Sequence, residues 1–356
     1  LVGAAAAEWG VPASAVKADN GMLTGPGGKK ATYGQMAEAA SKQPVPEKPA
    51  IKAPKDFRVV GKRIPRTDAP AKVNGTAEFG IDVRLPGMVY ASLEQCPVIG
   101  GKVRSVDSAA AKAMPGVLDV VQVSDGVAVV ANTYWAAVKA RRALKIDWDF
   151  GAGANLSSDG MIESHRQASS TGKVLPIQPA KGDAMGAING AAKKLSATYI
   201  TPLQSHSPLE PMNFTAHVSG GKALLIGPTQ FQQGAQGTAA AVLGIKPENV
   251  TVRTTYLGGG FGRRIELDFI SQAVQVSKAV GRPVKVLWNR EDDMRHDFYR
   301  PAGLNRIEAG LDASGNPVGV KFQLTSQSIT QRAFGLPKNQ SNAAPTPALV
   351  ASSIGL

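Results

Sequence analysis

The spacing of apolar and polar residues predicts one unit clearly, in the second half of the chain. β-Branched residues dominate Val250–Tyr256, which predicts a strand. A glycine turn follows, and Leu267–Val280 then repeats apolar residues at the spacing of one helical face before Gly281 and Pro283. A second apolar run, Val284–Trp288, predicts the next strand. The sequence therefore predicts a strand, a glycine turn, a helix and a strand in this order.

Short apolar runs bounded by glycine, proline or aspartate also lie between residues 59 and 150. Runs of this kind predict short strands, and two helical patterns occur among them. The predicted strands are Met88–Glu94, Val117–Val123 and Gly126–Ala131, and the predicted helices are Ser108–Ala113 and Tyr134–Leu144. Strands mixed with helices at this spacing predict a compact α+β domain.

The N-terminal part has a different texture. Small helical patterns around turns fill residues 1–45, and they include a predicted helix over Tyr33–Ser41. Prolines are dense in Pro44–Pro54, and such a density favours extended, semi-rigid backbone, which predicts a linker. The predicted segments are an N-terminal segment at 1–45, a linker at 46–58, an α+β domain at 59–150 and a larger domain at 151–356.

Composition and charge narrow the possible functions. The 356 residues are 43% hydrophobic and 19% charged, which is enough apolar material for a sizeable core. No apolar run approaches the roughly 20 residues that a membrane helix needs, so we predict no transmembrane span. The net charge is +13, but the basic residues are dispersed and match no nucleic-acid recognition module. We therefore predict a basic surface without nucleic-acid binding.

Metal-ligating residues are scarce. Cys96 is the only cysteine, so the chain can form neither an internal disulfide nor an iron–sulfur cluster of its own. The four histidines include no pair at the His-x-x-x-His spacing. We predict no metal ion held by protein side chains. Any electrons from redox chemistry must then leave through another polypeptide.

The glycine turn is the first candidate for chemistry. Four of the five residues in Gly258–Gly262 are glycines, which let the backbone approach a ligand with its N–H groups free to donate. The spacing matches neither the dinucleotide fingerprint nor the P-loop. A tight turn with close helix–strand packing is the alternative interpretation. Nearby candidates are Gln230, whose amide directly follows a predicted strand, and Glu210, a candidate buried carboxylate.

The order of several motifs resembles a known family. Thr229 and Gln230, the Gly258–Gly262 turn and residues 281–294 occur in the order found in molybdopterin-binding large subunits of the xanthine oxidase family. The most similar branch is the isoquinoline 1-oxidoreductase β-subunit and aldehyde dehydrogenase large-subunit type. Residues 60–82 are similar to the opening of that family's α/β hammerhead domain. The resemblance extends to about residue 335.

The resemblance implies a fold and a cofactor site. The expected fold is mixed α/β (α+β): residues 1–45 belong to the molybdenum-binding region, 59–150 form the hammerhead domain, and 151–356 form part of a molybdopterin-binding domain. In the family, the glutamine at the position of Gln230 hydrogen-bonds an oxygen on molybdenum. The phenylalanine at the position of Phe261 lies with its backbone beside the metal. The glycines that let the chain pass close to the pterin fall on Gly259, Gly260 and Gly262.

Two further positions bear on the substrate. An arginine near the substrate of the purine-oxidising members aligns with Arg300. Those members carry a glutamate that orients the purine ring at the position of Ile265. An apolar side chain cannot form that hydrogen bond, so an aromatic N-heterocycle or an aldehyde suits this site better than a purine.

The resemblance also implies an activity. We expect a molybdenum hydroxylase large subunit that oxidises a small-molecule substrate with water as the oxygen source. The expected cofactor is molybdopterin cytosine dinucleotide with molybdenum. Electrons are expected to pass to a small [2Fe–2S] subunit or to a c-type cytochrome subunit, and the expected location is the periplasm. The family's general-base glutamate falls beyond Leu356, so we expect an internal fragment that is inactive alone.

Two alternatives stay open on the sequence. The chain could be a non-catalytic binding or assembly module that shares the fold. It could also be an anion-binding or nucleic-acid-binding basic protein, which would account for the net charge of +13.

Overall fold

The computed structural model describes residues 1–49, 51–171 and 181–327, and the backbone of 349–354. The chain divides into two compact units, Leu1–Pro70 and Ala71–Leu356. The four segments predicted from the sequence have other boundaries, and these stay predictions.

The first unit combines a small sheet with short helices. Its antiparallel sheet has the order β1-β2-β3, and its core is built from the alanines of α1 together with Leu23 and Met36. The elements are α1 (Val2–Trp9), β1 (Lys17–Asp19), β2 (Met22–Thr24), β3 (Lys30–Thr32) and α2 (Ala37–Ser41), and α3 (Ala69–Val73) follows at the boundary. The helix predicted from Tyr33 begins only at Ala37, because the Gln35 side chain accepts a hydrogen bond from the Thr32 N–H and forms a turn there.

The second unit is organised around a seven-stranded mixed sheet in the order β12-β11-β10-β13-β4-β7-β6. The strands are β4 (Val89–Gln95), β6 (Val117–Val123), β7 (Gly126–Ala131), β10 (Asn213–Ser219), β11 (Lys222–Gly227), β12 (Val250–Thr254) and β13 (Val284–Leu287). The β11–β12 and β13–β4 pairs are parallel and the other pairs are antiparallel. Strands from both sides of residue 150 therefore share one sheet.

Helices cover this sheet and complete its core. The predicted face of the helix after the glycine turn is confirmed, since Ile270, Ala273, Val274 and Ser277 are all buried. The same core includes Phe214, which packs edge-to-face on Phe269 with ring centroids 5.8 Å apart. The helices are α4 (Ala109–Lys112), α5 (Tyr134–Arg141), α8 (Gln232–Leu243), α9 (Asp268–Val280) and α10 (Arg290–Arg295).

Two smaller sheets complete the second unit. One has the order β16-β15-β14-β9 with α6 and α7 packed on it, and the other pairs β5 with β8. The elements are β5 (Lys102–Asp107), β8 (Lys145–Asp149), α6 (Ser158–Thr171), α7 (Ala184–Gly190), β9 (Lys193–Thr201), β14 (Gly303–Leu311), β15 (Pro317–Ser326) and β16 (Leu349–Ile354). Among the helices of the described residues, none combines the length and the apolar character needed to cross a membrane.

The predicted mixed α/β class is confirmed, and so is the unit of strand, glycine turn, helix and strand. Three boundaries differ by one or two residues: β12 ends at Thr254 and not at Tyr256, α9 begins at Asp268 and not at Leu267, and β13 ends at Leu287 and not at Trp288. The Tyr256 N–H donates to the carbonyl oxygen of Glu78, and this isolated bridge takes the chain away from the sheet. The turn therefore follows the carboxyl end of an edge strand that runs parallel to β11, where a loop can reach a ligand.

Candidate functional site

A cleft of about 1460 Å³ runs through the second unit. Its wall is formed by the end of β4, by α6, by the segment before Glu210, by the glycine turn and by the segment after α10. Four of the predicted site residues lie on this wall, namely Phe261, Gly262, Ile265 and Arg300. A cleft of this size exceeds the space that one drug-sized molecule fills, so it can hold a large cofactor together with a substrate.

The glycine turn needs its glycines for two different reasons. Gly259 and Gly262 have φ angles of 96° and 105°, which side chains rarely adopt. Gly258 and Gly260 are needed for space: a Cβ atom would lie 2.4 Å from the Cβ of Glu210 at position 258, and 2.6 Å from Gln230 Oε1 at position 260. These contacts are those of a tight turn packed against Glu210 and Gln230, and the predicted approach of its backbone to a ligand stays a prediction.

The turn leaves a row of hydrogen-bond donors without partners. Within the described chain, the backbone N–H groups of Gly259, Gly260 and Phe261 donate to no other group, although Gly260 is buried. Most buried N–H groups in proteins are paired, so the free N–H of buried Gly260, between those of half-buried Gly259 and exposed Phe261, indicates a place for an external acceptor.

Gln230 lies directly against this row. Its Oε1 accepts the Gly262 N–H at 3.2 Å, and its own backbone N–H donates to the Arg264 carbonyl oxygen at 2.9 Å. The side-chain NH₂ group has no partner among residues that the structure describes. Gln230, Gly259 and Gly260 are not on the cleft wall, and Gln230 reaches it through its bond to Gly262.

A buried ion pair holds the side of the turn that faces the core. Glu210 Oε2 accepts the Gly258 N–H at 2.9 Å and lies 3.2 Å from Arg264 Nη2, while Oε1 accepts from the Ile81 N–H and from Asn213. Arg264 Nε also donates to the Gly259 carbonyl oxygen at 2.8 Å. Burial lowers the pKa of Arg264 to about 10. Both carboxylate oxygens are thus occupied, and Glu210 acts as a structural anchor of the turn.

The Arg263 side chain contacts two carboxylates of the cleft wall instead. Its guanidinium is fully buried and pairs with Asp268 at 2.9 and 2.8 Å, and its Nε lies 3.0 Å from Asp297 Oδ1. The rings of Trp288 and Phe298 have their centroids 5.5 and 5.1 Å from its Cζ. Burial alone would lower the pKa of Arg263, but the surrounding aspartates raise it above its ordinary value. The charge of Arg263 therefore persists at any physiological pH.

Sequence reasoning missed a histidine–aspartate pair on the cleft wall. His206 Nδ1 lies 3.0 Å from Asp297 Oδ1, and the same carboxylate accepts hydrogen bonds from Ser205 Oγ and from the His206 backbone N–H. The two residues are 91 positions apart, so no local motif could have linked them.

The two predicted substrate residues are brought onto one wall. Ile265 is 48% exposed and lines the cleft, as does the exposed Arg300. The Arg300 backbone is fixed by a reciprocal pair of hydrogen bonds with Gln204, at 2.9 and 3.3 Å. Their roles in substrate binding stay predictions.

Backbone strain is concentrated at the same place. Among the described residues, the non-glycine residues with positive φ are Asn20, Ser207 and Phe261; Phe261 lines the cleft, and Ser207 follows His206, which also lines it. Phe261 has a φ of 56° and is 75% exposed, so neither packing nor backbone preference accounts for it. Strain of this kind tends to collect at functional sites.

The chain is similar to a molybdopterin-binding domain and to subunits of several oxidoreductases. The family model for the molybdopterin cofactor-binding domain matches residues 166–339. The isoquinoline 1-oxidoreductase subunit beta of Brevundimonas diminuta is 32% identical over 299 residues, which are 80% of this chain and 38% of that protein. The aldehyde oxidoreductase molybdenum-binding subunit PaoC of Escherichia coli K12 is 29% identical over 80% of this chain and 42% of its own length.

Solved structures share the fold. The aldehyde oxidoreductase of Desulfovibrio gigas superimposes with a TM-score of 0.62 at 18% identity, over 86% of this chain and 39% of that one. The quinoline 2-oxidoreductase of Pseudomonas putida 86 superimposes with a TM-score of 0.61 at 16% identity, over 83% of this chain and 44% of that one. The chain spans about two fifths of the length of the curated relatives it matches first.

Proposed function

Because this chain belongs to the xanthine oxidase family of molybdopterin-binding large subunits, we propose that its glycine turn and cleft form part of the active site of a molybdenum hydroxylase. One observation carries the proposal: the free N–H groups of Gly259, Gly260 and Phe261 lie together with the free amide of Gln230 beside a large cleft. Such a set of donors suits the oxygens and ring acceptors of a pterin cofactor.

The residues of the turn fit this cofactor. The backbone of Gly259–Gly262 would hold it, and the Gln230 NH₂ group would donate to an oxygen on it. When bound, a molybdenum pterin supplies a two-electron redox centre at which oxygen from water is transferred to the substrate. The chain itself supplies these donors, and the Glu210–Arg264 pair holds the turn that carries them in place before binding.

The cleft wall favours an apolar aromatic substrate. Ile265 lines the cleft together with the segment that carries Phe298, Tyr299 and Arg300. An isoleucine cannot pair with the oxygen or N–H of a hydroxypurine. We propose that the substrate is an aromatic N-heterocycle or an aldehyde. Comparable turnover of hypoxanthine and of isoquinoline or benzaldehyde would contradict this.

The remaining features of the proposal concern the whole protein. We propose the cytosine dinucleotide form of the cofactor, an α/β hammerhead domain over 59–150, and a periplasmic location. Relatives of this chain are named as subunits, and its single cysteine, Cys96, is too few for an iron–sulfur cluster. We therefore propose that electrons pass to a small [2Fe–2S] subunit or to a c-type cytochrome subunit.

The first test is metal and nucleotide analysis. The natural full-length product is purified with its partners, and molybdenum is measured together with the CMP released by acid. About one molybdenum and one CMP per chain would support the proposal, since the cofactor carries one of each. Their absence from a folded full-length product would contradict it and favour the non-catalytic binding or assembly module. Copurification of a c-type cytochrome or a [2Fe–2S] subunit, seen by its absorption spectrum, tests the electron acceptor.

A further inference from the structure

His206 is fixed in one orientation by a buried carboxylate. Its Nδ1 lies 3.0 and 3.1 Å from the two oxygens of Asp297, whose side chain is only 1% exposed. A carboxylate only accepts hydrogen bonds, so the neutral imidazole carries its proton on Nδ1. Its Nε2 is then a hydrogen-bond acceptor.

Asp297 cannot turn away from the imidazole. Its Oδ2 accepts a hydrogen bond from Ser205 Oγ at 2.8 Å and another from the His206 backbone N–H. Its Oδ1 lies 3.0 Å from Nε of Arg263, which is itself clamped by Asp268. The direction of the imidazole is therefore set by a network of buried groups, and not by its own rotamer preference.

Nε2 points to the glycine turn and is unused. A Cβ atom built on Gly262 would lie 3.7 Å from Nε2, and His206 is on the cleft wall. In the part of the chain that the structure describes, Nε2 has no hydrogen-bond partner. The Tyr299 hydroxyl, on the same wall, is already hydrogen-bonded to the carbonyl oxygens of Met294 and Arg295.

We propose that His206, positioned by Asp297, accepts a hydrogen bond through Nε2 from an N–H or O–H group of the ligand bound beside Gly262. This rests on the proposed function, which places a pterin cofactor and a substrate in the cleft. Two ligands can present such a donor: the cofactor, through its ring N–H groups, and the bound substrate or product. The two sources have different consequences for a variant that lacks Nε2.

The decisive variant is His206→Asn in the full-length protein with its partners. An asparagine amide can still donate to Asp297 from the position of Nδ1, but it has no atom at the position of Nε2. The matched control is His217→Asn on β10, outside the cleft. Molybdenum and CMP per chain, KM and kcat are measured for both variants, and circular dichroism checks the fold.

Either of two results supports the proposal. A loss of molybdenum and CMP of at least about threefold identifies the cofactor as the donor, because a lost hydrogen bond weakens binding by several-fold. Full cofactor content with a rise in KM of at least about fivefold identifies the substrate. Content, KM and kcat all within twofold of the wild type would overturn the proposal.

A measurement on the wild type covers the case in which His206→Asn does not fold. Diethyl pyrocarbonate reacts with a free imidazole nitrogen, and mass spectrometry of the peptide gives the rate at His206. We expect slower labelling in the loaded protein than after cofactor removal, or slower labelling once benzaldehyde is added. A rate unchanged by both would overturn the proposal. If the wild type carries neither molybdenum nor CMP, this inference and the proposed function are both overturned. If the wild type carries both and His206→Asn behaves like it, only this inference is overturned.

Discussion

Arg263 and Arg264 are neighbours in the chain and both are fully buried, yet the Arg264 side chain contacts the glycine turn while the Arg263 side chain contacts carboxylates of the cleft wall. Arg264 pairs with Glu210 and with the Gly259 carbonyl oxygen, and burial lowers its pKa to about 10. Arg263 lies among Asp268 and Asp297, and these carboxylates outweigh its burial and raise its pKa.

The difference separates the groups that stabilise the glycine turn from the groups that are free to bind a ligand. On the core side both carboxylate oxygens of Glu210 are engaged, so Glu210 has no free acceptor with which to bind a ligand. On the cleft side His206 and Phe261 keep free polar groups, and Phe261 is strained and exposed. A buried charge with several partners is therefore not by itself a sign of a catalytic group. Unused hydrogen-bonding capacity beside a cleft is the more informative sign.

The largest effect is expected on the core side. Glu210→Ala leaves Arg264 buried without its carboxylate, and it also removes the acceptor for the Ile81 and Gly258 N–H groups. We expect the free energy of unfolding to fall by about 3–5 kcal/mol, measured by urea unfolding with tryptophan fluorescence. The matched control is Glu78→Ala, because Glu78 forms an exposed pair with Arg253 at 3.5 Å and should change stability by less than about 1 kcal/mol. Equal effects of the two substitutions would abolish the distinction between the two sides.

The next effect tests the contact between the turn and Gln230. In Gly260→Ala the new methyl group would lie 2.6 Å from Gln230 Oε1, so the amide must move and release the Gly262 N–H. We expect a loss of about 1–3 kcal/mol in the free energy of unfolding and a lower molybdenum content in the full-length protein.

A second glycine provides the control for this substitution. Gly237 lies inside α8 with nothing within 4 Å of its Cβ position, so Gly237→Ala should raise stability by about 0.5–1 kcal/mol. A stable Gly260→Ala variant with full molybdenum content would show that the close approach at the turn is dispensable.

Local sequence patterns predicted the helices and strands of this fold, but not which strands pair with one another. The strands Val117–Val123 and Gly126–Ala131 are confirmed to the residue, since alternation and glycine boundaries are local signals. The parallel pairing of β13 with β4 was not predicted, because the period of a strand says which face is buried and not which strand lies beside it. The sheet that places the turn at the cleft depends on that pairing.

The candidate site divides in the same way. The nearness of Gln230 to the glycine turn followed from motifs in the resemblance, and the structure brings the two together. The His206–Asp297 pair could not be predicted, because neither residue stands in a recognisable motif and the pairing of two residues 91 positions apart depends on the fold between them. Glu210 was considered as a candidate buried carboxylate, and only its partners show that its role is structural.

A smaller effect concerns pH and the cleft side. Burial lowers the pKa of His296, whose ring packs edge-on against Trp288 at 6.2 Å. In the unfolded chain the His296 imidazole takes up a proton near pH 6.5, and in the folded chain it does so only at a lower pH. The free energy of unfolding therefore falls as the pH drops through about 6.5. One proton limits the slope to about 1.4 kcal/mol per pH unit. We expect urea unfolding between about pH 7 and pH 5 to show a smaller loss in His296→Phe than in the wild type. Burial also lowers the pKa of His165, so the part of the pH dependence that comes from His165 remains in the variant. Identical slopes of unfolding free energy against pH in the variant and the wild type would contradict the role of His296.

The smallest effect on stability is expected at the most exposed residue of the turn. Phe261→Gly relieves a left-handed backbone, which costs a non-glycine residue about 1–2 kcal/mol, but it adds about 0.5–1 kcal/mol of unfolded-state entropy. Because the ring is 75% exposed, little burial is lost, and the free energy of unfolding should stay within about 1 kcal/mol of the wild type.

Asn20→Gly, at the other end of the chain with a φ of 45°, is the matched control for backbone relief alone. If the ring serves the cleft, only Phe261→Gly raises the KM for benzaldehyde, by about fivefold for one lost aromatic contact. If Phe261→Gly instead lowers the free energy of unfolding by more than about 2 kcal/mol, the ring is part of the support of the turn. Its contribution to stability would then account for the strained backbone of Phe261 without any ligand.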